Sequence, residues 1–143
     1  MRNKKKGVID FSNKDKSGMD FHGKNFNKGE FYMTKFVNSN LEEVNFRGAK
    51  LKYASLMNAN LRSANLTGVK LTGANLWGAD LTNAVIRNAE LRGANFKDTI
   101  LVGTNFSNSD IKLAKNLKIA NFDENRNKCN SIENNSRKDN EHI

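Results

Sequence analysis

Few residues in this chain could do chemistry, and their spacing does not suit it. The two histidines, His22 and His142, stand near opposite ends, and the one cysteine, Cys129, has no histidine close to it in sequence. A nucleophile needs a base within hydrogen-bond reach, and a metal site needs ligands at short, regular spacings. Neither pattern occurs. Glu42 and Glu43 are adjacent, a pair able to act as acid and base. Without a concave site to hold a substrate, however, neighbouring carboxylates belong on a solvated surface. Glycine recurs at Gly48, Gly68, Gly73, Gly78, Gly93 and Gly103. It lies in a five-residue lattice, not in the strand–loop–helix setting of a phosphate-binding loop. No catalytic, cofactor-binding or metal-binding residue is assigned, no cofactor is implied, and an enzyme is not expected.

The elements that would position any site follow from one regularity. Leu, Ile or Phe stands at every fifth position from Phe21 to Ile111, nineteen positions without a miss. Five residues of α-helix turn through roughly 500°, so such a column would wander around the cylinder. In a straight strand an odd spacing alternates faces. The chain must therefore bend once per five residues. Two positions before each column residue, from Gly29 to Ser109, only Gly, Ala, Val, Ser or Thr occurs. Residues two apart on a strand share a face, so each unit reads as small in, polar out, large in, followed by a two-residue corner. The second corner residue is often Gly, or Asn as at Asn38, Asn58, Asn83, Asn88 and Asn108, the types that tolerate positive φ. Proline is absent, which suits a backbone whose N–H groups pair with neighbouring coils.

Ala64-Asn65-Leu66-Thr67-Gly68, Ala74-Asn75-Leu76-Trp77-Gly78 and Ala94-Asn95-Phe96-Lys97-Asp98 resemble the tandem motif of the pentapeptide-repeat family. The resemblance covers about two thirds of the chain. It implies an all-β fold, a right-handed quadrilateral β-helix with four repeats per coil and nearly five coils here. It also implies a non-enzymatic, partner-binding role. Some members of the family resemble a DNA duplex in shape and negative charge and so occupy DNA gyrase. That mechanism needs rows of Asp and Glu.

The charge does not supply them. The net charge of +9 divides into nine Lys/Arg against four acids over residues 1–35, eight against six over 36–111, and seven against five over 112–143. The repeat body is slightly basic, Asn replaces Asp at most outward positions, and no gyrase-directed residue is carried over. A topoisomerase-directed protein remains the alternative function. With it stands anion contact by the N-terminal Arg2, Lys4, Lys5 and Lys6, which could meet nucleic acid or an anionic membrane. On a four-per-coil frame, outward residues 20 apart should stack. One column reads Glu30, Lys50, Lys70, Glu90, Asp110 and another Asn25, Asn45, Asn65, Val85, Asn105, suggesting ion pairs and side-chain ladders.

The same frame stacks Val37, Met57 and Trp77, with Tyr32, Met33 and Tyr53 at or beside the adjoining corner. These six residues are the candidate partner-binding surface, since exposed Trp, Tyr and Met favour interfaces. The partner is another protein or a second copy; stacked coil ends would make a homodimer. The competing reading is that the N-terminal tail covers them or that the wall tolerates them.

Lys16 breaks the column, and Met19 and Lys24 occupy small-residue positions. The first coil is accordingly expected near residue 19, with 1–18 as a basic tail or irregular cap. Phe21, Phe26, Phe31 and Phe36 should form an aromatic layer. At the other end Asn116 interrupts the column, and two readings stay open. Either one residue is inserted and Leu117 and Phe122 resume the repeat, with Ala120 in the small slot, or Leu113, Leu117 and Ala120 line a short helix. The repeat domain with its cap is placed at 19–122, and the polar segment 123–143 is expected to be disordered. No leader or membrane span is recognised. A lone cysteine gives no disulfide framework, so a cytoplasmic location is expected.

Overall fold

The computed structural model describes residues 6–117. Arg2, Lys4, Lys5, Ala120, Phe122, Cys129, His142 and the segment 123–143 lie outside the described residues. Parallel bridges join residues twenty apart, from Asp10 with Glu30 to Asn95 with Lys115. One circuit of the chain is thus four five-residue units, and the walls stack about 4.8 Å apart. All nineteen column residues from Phe21 to Ile111 are buried, and the alanines two positions earlier join the same core.

Each unit accounts for its backbone donors in a fixed way. The column residue donates to the next coil, as Leu61 N–H does to the Asp80 carbonyl at 2.7 Å. The outward residue donates to the previous coil, as Asp80 N–H does to Ala59 at 3.0 Å. The second corner residue donates to the next coil, Gly73 to Arg92 at 2.8 Å, and the small residue closes the turn, Ala74 to Leu71 at 2.9 Å. Only the first corner residue lacks a backbone acceptor in this scheme. Where the outward residue is Asn or Asp, its side-chain oxygen accepts that N–H, as Asn75 does from Trp77 and Asp80 from Thr82. This Asx turn gives the repeated Asn/Asp a local purpose. The second corner residue carries φ near +60° throughout, including Gly73, Asn58, Met33 and Tyr53.

Polar residues in the small slots are satisfied too. Thr34, Thr99 and Thr104 donate their hydroxyls to the carbonyls of Phe11, Leu76 and Leu81. Among the described residues no buried side-chain polar atom lacks a partner.

The coil begins earlier than the sequence implies. Asp10 and Asp15 pair with Glu30 and Lys35, and Lys16 N–H donates to the Lys35 carbonyl at 2.7 Å. The described part of 1–18 is regular coil, not a tail or an irregular cap. Pairing uses backbone groups, so a polar column residue does not prevent it in an end coil. Lys16 runs its chain along the interior edge, with Nζ 4.5 Å from the centre of the Phe11 ring, an arrangement open to a long amphipathic side chain. The aromatic layer is present and larger than expected. Phe11 and Phe46 join it, with ring centroids 5.3–6.1 Å apart along Phe11, Phe21, Phe26, Phe31, Phe36 and Phe46.

At the far end one 3₁₀ turn, Ile111–Leu113, interrupts the pattern. The Asp110 carboxylate, in place of a backbone carbonyl, accepts the N–H of Leu91. Lys115 still pairs with Asn95, Asn116 takes φ of 60° and Leu117 returns to the interior. Leu113 faces solvent; Ala120 and Phe122, which separate the continued repeat from the short helix, lie outside the described residues.

Candidate functional site: one wall of the coil

The six residues of the candidate surface do gather on one wall. Asn38 N–H donates to the Met57 carbonyl and Asn58 N–H to that of Trp77, which stacks Val37, Met57 and Trp77 in successive coils. On the other corner of this wall, Met33 N–H donates to Lys52 and Tyr53 N–H to Thr72. Between the corners runs the bridge column Asp15, Lys35, Ser55, Asn75, Asn95, Lys115. Tyr32, Met33, Tyr53 and Trp77 are 38–50 % exposed; Val37 and Met57 are half-buried.

The three aromatic side chains are held. The Tyr32 and Tyr53 rings meet edge-to-face at 6.0 Å. The Tyr53 ring lies over Gly73, where a Cβ would come within 2.4 Å of it, and Lys52 Nζ stands 5.3 Å from its centre. The Trp77 indole N–H donates to Asp98 at 3.0 Å. Met33 and Tyr53 both sit at positive φ, 54° and 58°, at a cost of roughly 1–2 kcal/mol each relative to glycine. Asp98 and Gly73 escape a reading of the sequence confined to apolar residues. The twenty-residue step applied to residues 78 and 53 would have found both.

The other candidates fare differently. Lys6 is exposed, and its companions Arg2, Lys4 and Lys5 are not described. His22 lies 4.0 Å from Glu42 and 3.9 Å from Glu43, so stacking brings the histidine to the carboxylate pair, twenty residues away in the sequence. Among the described residues no group of His, Cys, Asp and Glu is arranged to hold a metal ion. Arg62 continues that corner and pairs with Asp80 at 3.1 Å. Burial presses the Asp80 carboxyl upward, but hydrogen bonds from the Thr82 hydroxyl and N–H and from Arg62 outweigh it. The group therefore sits below the usual carboxylate range. The Asp15 carboxyl is also lowered, by the hydroxyl and N–H of Ser17 and then by Lys35.

The expected columns form. Lys50 reaches Glu30 at 2.7 Å and Lys70 reaches Glu90 at 3.6 Å; exposed pairs of this kind contribute about 0.2–1 kcal/mol. Asn45 Nδ2 donates to Asn25 at 3.1 Å, and Asn40 donates likewise to Asp20.

Comparison with known proteins bears out the resemblance. The pentapeptide-repeats model matches residues 39–78 and 74–112 with eight copies, more than half of the chain. The chain belongs to the pentapeptide-repeat family. Among curated protein sequences none matches it. A pentapeptide-repeat protein from the thylakoid lumen of Arabidopsis thaliana is 36 % identical over 66 % of this chain, with a TM-score of 0.55; this chain spans 63 % of its length. A pentapeptide-repeat protein from the cyanobacterium Cyanothece 51142 is 25 % identical over 82 % of this chain and 86 % of its own, with a TM-score of 0.57. The plasmid-mediated fluoroquinolone resistance protein QnrB1 aligns over 80 % of this chain and 78 % of its own at 17 % identity and a TM-score of 0.38, too distant to inform on activity. Pentapeptide-repeat neighbours carry the fold to a right-handed quadrilateral β-helix. Among the described residues of this pentapeptide-repeat chain, no helix is long and apolar enough to cross a membrane.

Proposed function

We propose that this pentapeptide-repeat chain, nearly five coils between residues 21 and 111, is a non-enzymatic interaction module. Its contact surface is the wall bearing Tyr32, Met33, Val37, Tyr53, Met57 and Trp77, and its partner is another protein or a second copy. The observation that carries this is the fixation of exposed aromatic groups: the Trp77 indole is tied to Asp98 and the Tyr53 ring rests on Gly73. Rigid groups on a lattice of about 4.8 Å lose little freedom on binding, so contact made there is not spent on ordering side chains. The cytoplasmic setting belongs to the same proposal, since a lone cysteine suits a reducing compartment.

Capture from cell extract with the intact chain, with Trp77→Ser and with Arg87→Ser on the opposite wall tests this. Partners lost only with Trp77→Ser support the wall. Partners lost equally with both variants, or with neither, reject it. Sedimentation of the purified chain reports stacking of coil ends. The alternative, nucleic-acid contact through the basic N-terminus, requires salt-sensitive DNA binding that disappears when residues 1–6 are deleted. A gyrase-directed role would show as altered supercoiling by gyrase on adding the chain; the basic repeat body argues against it.

A further inference from the structure

The positive charge of the coil is not spread evenly around it. The wall just described, with its two corners, consists of residues 12–18 and the segments stacked on them, 32–38, 52–58, 72–78, 92–98 and 112–117. It carries eight Lys/Arg against Asp15 and Asp98, a net +6, which equals the net charge of residues 6–117 (sixteen Lys/Arg against ten acids). The opposite wall, with its corners, has six against two, and there Arg62 is taken up by Asp80. The two remaining columns are net acidic, through Asp20 and Asp80 on one and Asp10, Glu30, Glu90 and Asp110 against Lys50 and Lys70 on the other. Both tyrosines and the only tryptophan also lie on the +6 wall.

The order along the axis is informative. Lys14 and Lys16 precede the apolar patch, Lys35 and Lys52 lie within its first two coils, and Arg92, Lys97, Lys112 and Lys115 follow it. Segment 72–78, which holds Trp77, has no charge at all. Asp98 is engaged by the indole, and the Asp15 carboxylate accepts the N–H of Ser17. Resting on the reading of this wall as the contact surface, we infer that its occupant is an acidic segment of another protein. Its carboxylates lie at both ends of an apolar centre that covers Met33, Tyr53, Met57 and Trp77. From the first stacked segment to the last is about 24 Å, five steps of about 4.8 Å, the length of a helix of about 16 residues. Single-stranded nucleic acid fits less well. It needs a continuous track of cations beside the stacking groups, and on this wall the track is broken at segment 72–78, where Trp77 stands. Charges bracketing an aromatic and methionine centre match the polar rim and apolar core of a protein interface.

The test uses the intact chain and three labelled probes. One is a 16-residue amphipathic peptide with Glu at each end and Leu, Met and Phe between. The second is the same peptide with Lys for Glu, and the third is dT20. Binding is followed by anisotropy and by emission of the single tryptophan, Trp77. The Glu peptide is expected to bind at least about tenfold more tightly than the Lys peptide, a factor worth about 1.4 kcal/mol, and to shift Trp77 emission. Lys35→Glu combined with Lys97→Glu, both exposed sites, should weaken it about tenfold, with Arg87→Glu on the opposite wall inert. Equal or tighter binding of the Lys peptide, tighter binding of dT20 that displaces the peptide, or indifference to the Lys35/Lys97 variant overturns the inference. If cellular partners still depend on Trp77 while the Glu peptide fails, only the charge class falls. If nothing captured depends on Trp77, the wall reading falls with it.

Discussion

The first third of the coil and its middle share one backbone scheme but fill it with opposite choices. Around residues 11–46 the column is almost all Phe, and the small slots hold Met19, Lys24, Gly29, Thr34 and Ser39. From 51 to 91 the column is Leu or Ile and the slots are Ala, apart from Val69. Hydrogen bonds from column residue to next coil are nonetheless alike, Phe31 to Lys50 at 2.8 Å and Leu71 to Glu90 at 2.8 Å. At one position the balance is volume. Gly29 lies against its own column neighbour, and a Cβ there would come within 2.4 Å of the Phe31 ring. There the large column residue is balanced by a missing methyl, as close packing requires. The corners are alike in kind: left-handed residues other than Gly and Asn are Lys28, Met33 and Glu43 in the first third and Tyr53 and Ser63 in the middle. Two of them, Met33 and Tyr53, belong to the candidate surface, where functional sites commonly keep strain.

The contrast can be broken at several levels. Leu71→Ala opens a cavity between two complete coils and should cost about 2–5 kcal/mol by chemical denaturation. Phe21→Leu, nearer the end and less enclosed, should cost clearly less. Equal losses would mean that the two regions share one uniform interior. Next in size, Gly29→Ala should destabilise by about 1–3 kcal/mol through overpacking. Adding Phe31→Leu should recover part of that, with a coupling of about 0.5–3 kcal/mol. Strict additivity would refute the balance of volumes. Met33→Asn should gain about 0.5–1 kcal/mol by easing the left-handed corner while weakening partner binding. A gain in both would show that the strain has no bearing on contact.

The smallest effect is in pH. The Asp80 carboxyl is depressed in the fold, so its contribution is complete above the unfolded value of about 3.9 and disappears as pH falls through the folded value. Asp80→Asn should flatten that acid limb in a thermal-melt series. An unchanged limb would mean that the Thr82 and Arg62 contacts do not stabilise the charged form.

Much of this architecture was legible because it is periodic. The step from Phe21 to Ile111 announced a bend per unit, and the Gly and Asn corners announced its conformation. The early start at Asp10 was hidden, since a backbone ladder leaves no mark on side-chain type where Lys16 occupies the column. The outward Asn reads in the sequence as a cross-coil ladder, which forms between Asn25 and Asn45, but its local role is not visible there. Its main duty, accepting the N–H two residues ahead, is local, whereas the ladder bonds run on only some columns.

By itself the sequence determined the period, the interior and the family, because apolar spacing and chirality at the corners are properties of five consecutive residues. Only the tertiary structure decided which residues twenty apart become neighbours with usable geometry. It set His22 against Glu42 and Glu43, Trp77 against Asp98 and Tyr53 against Gly73. It also drew eight cations to one side. A surface is made by stacking separate coils, and the lateral meeting of side chains is fixed by the closure of each circuit, which no local stretch of the chain contains.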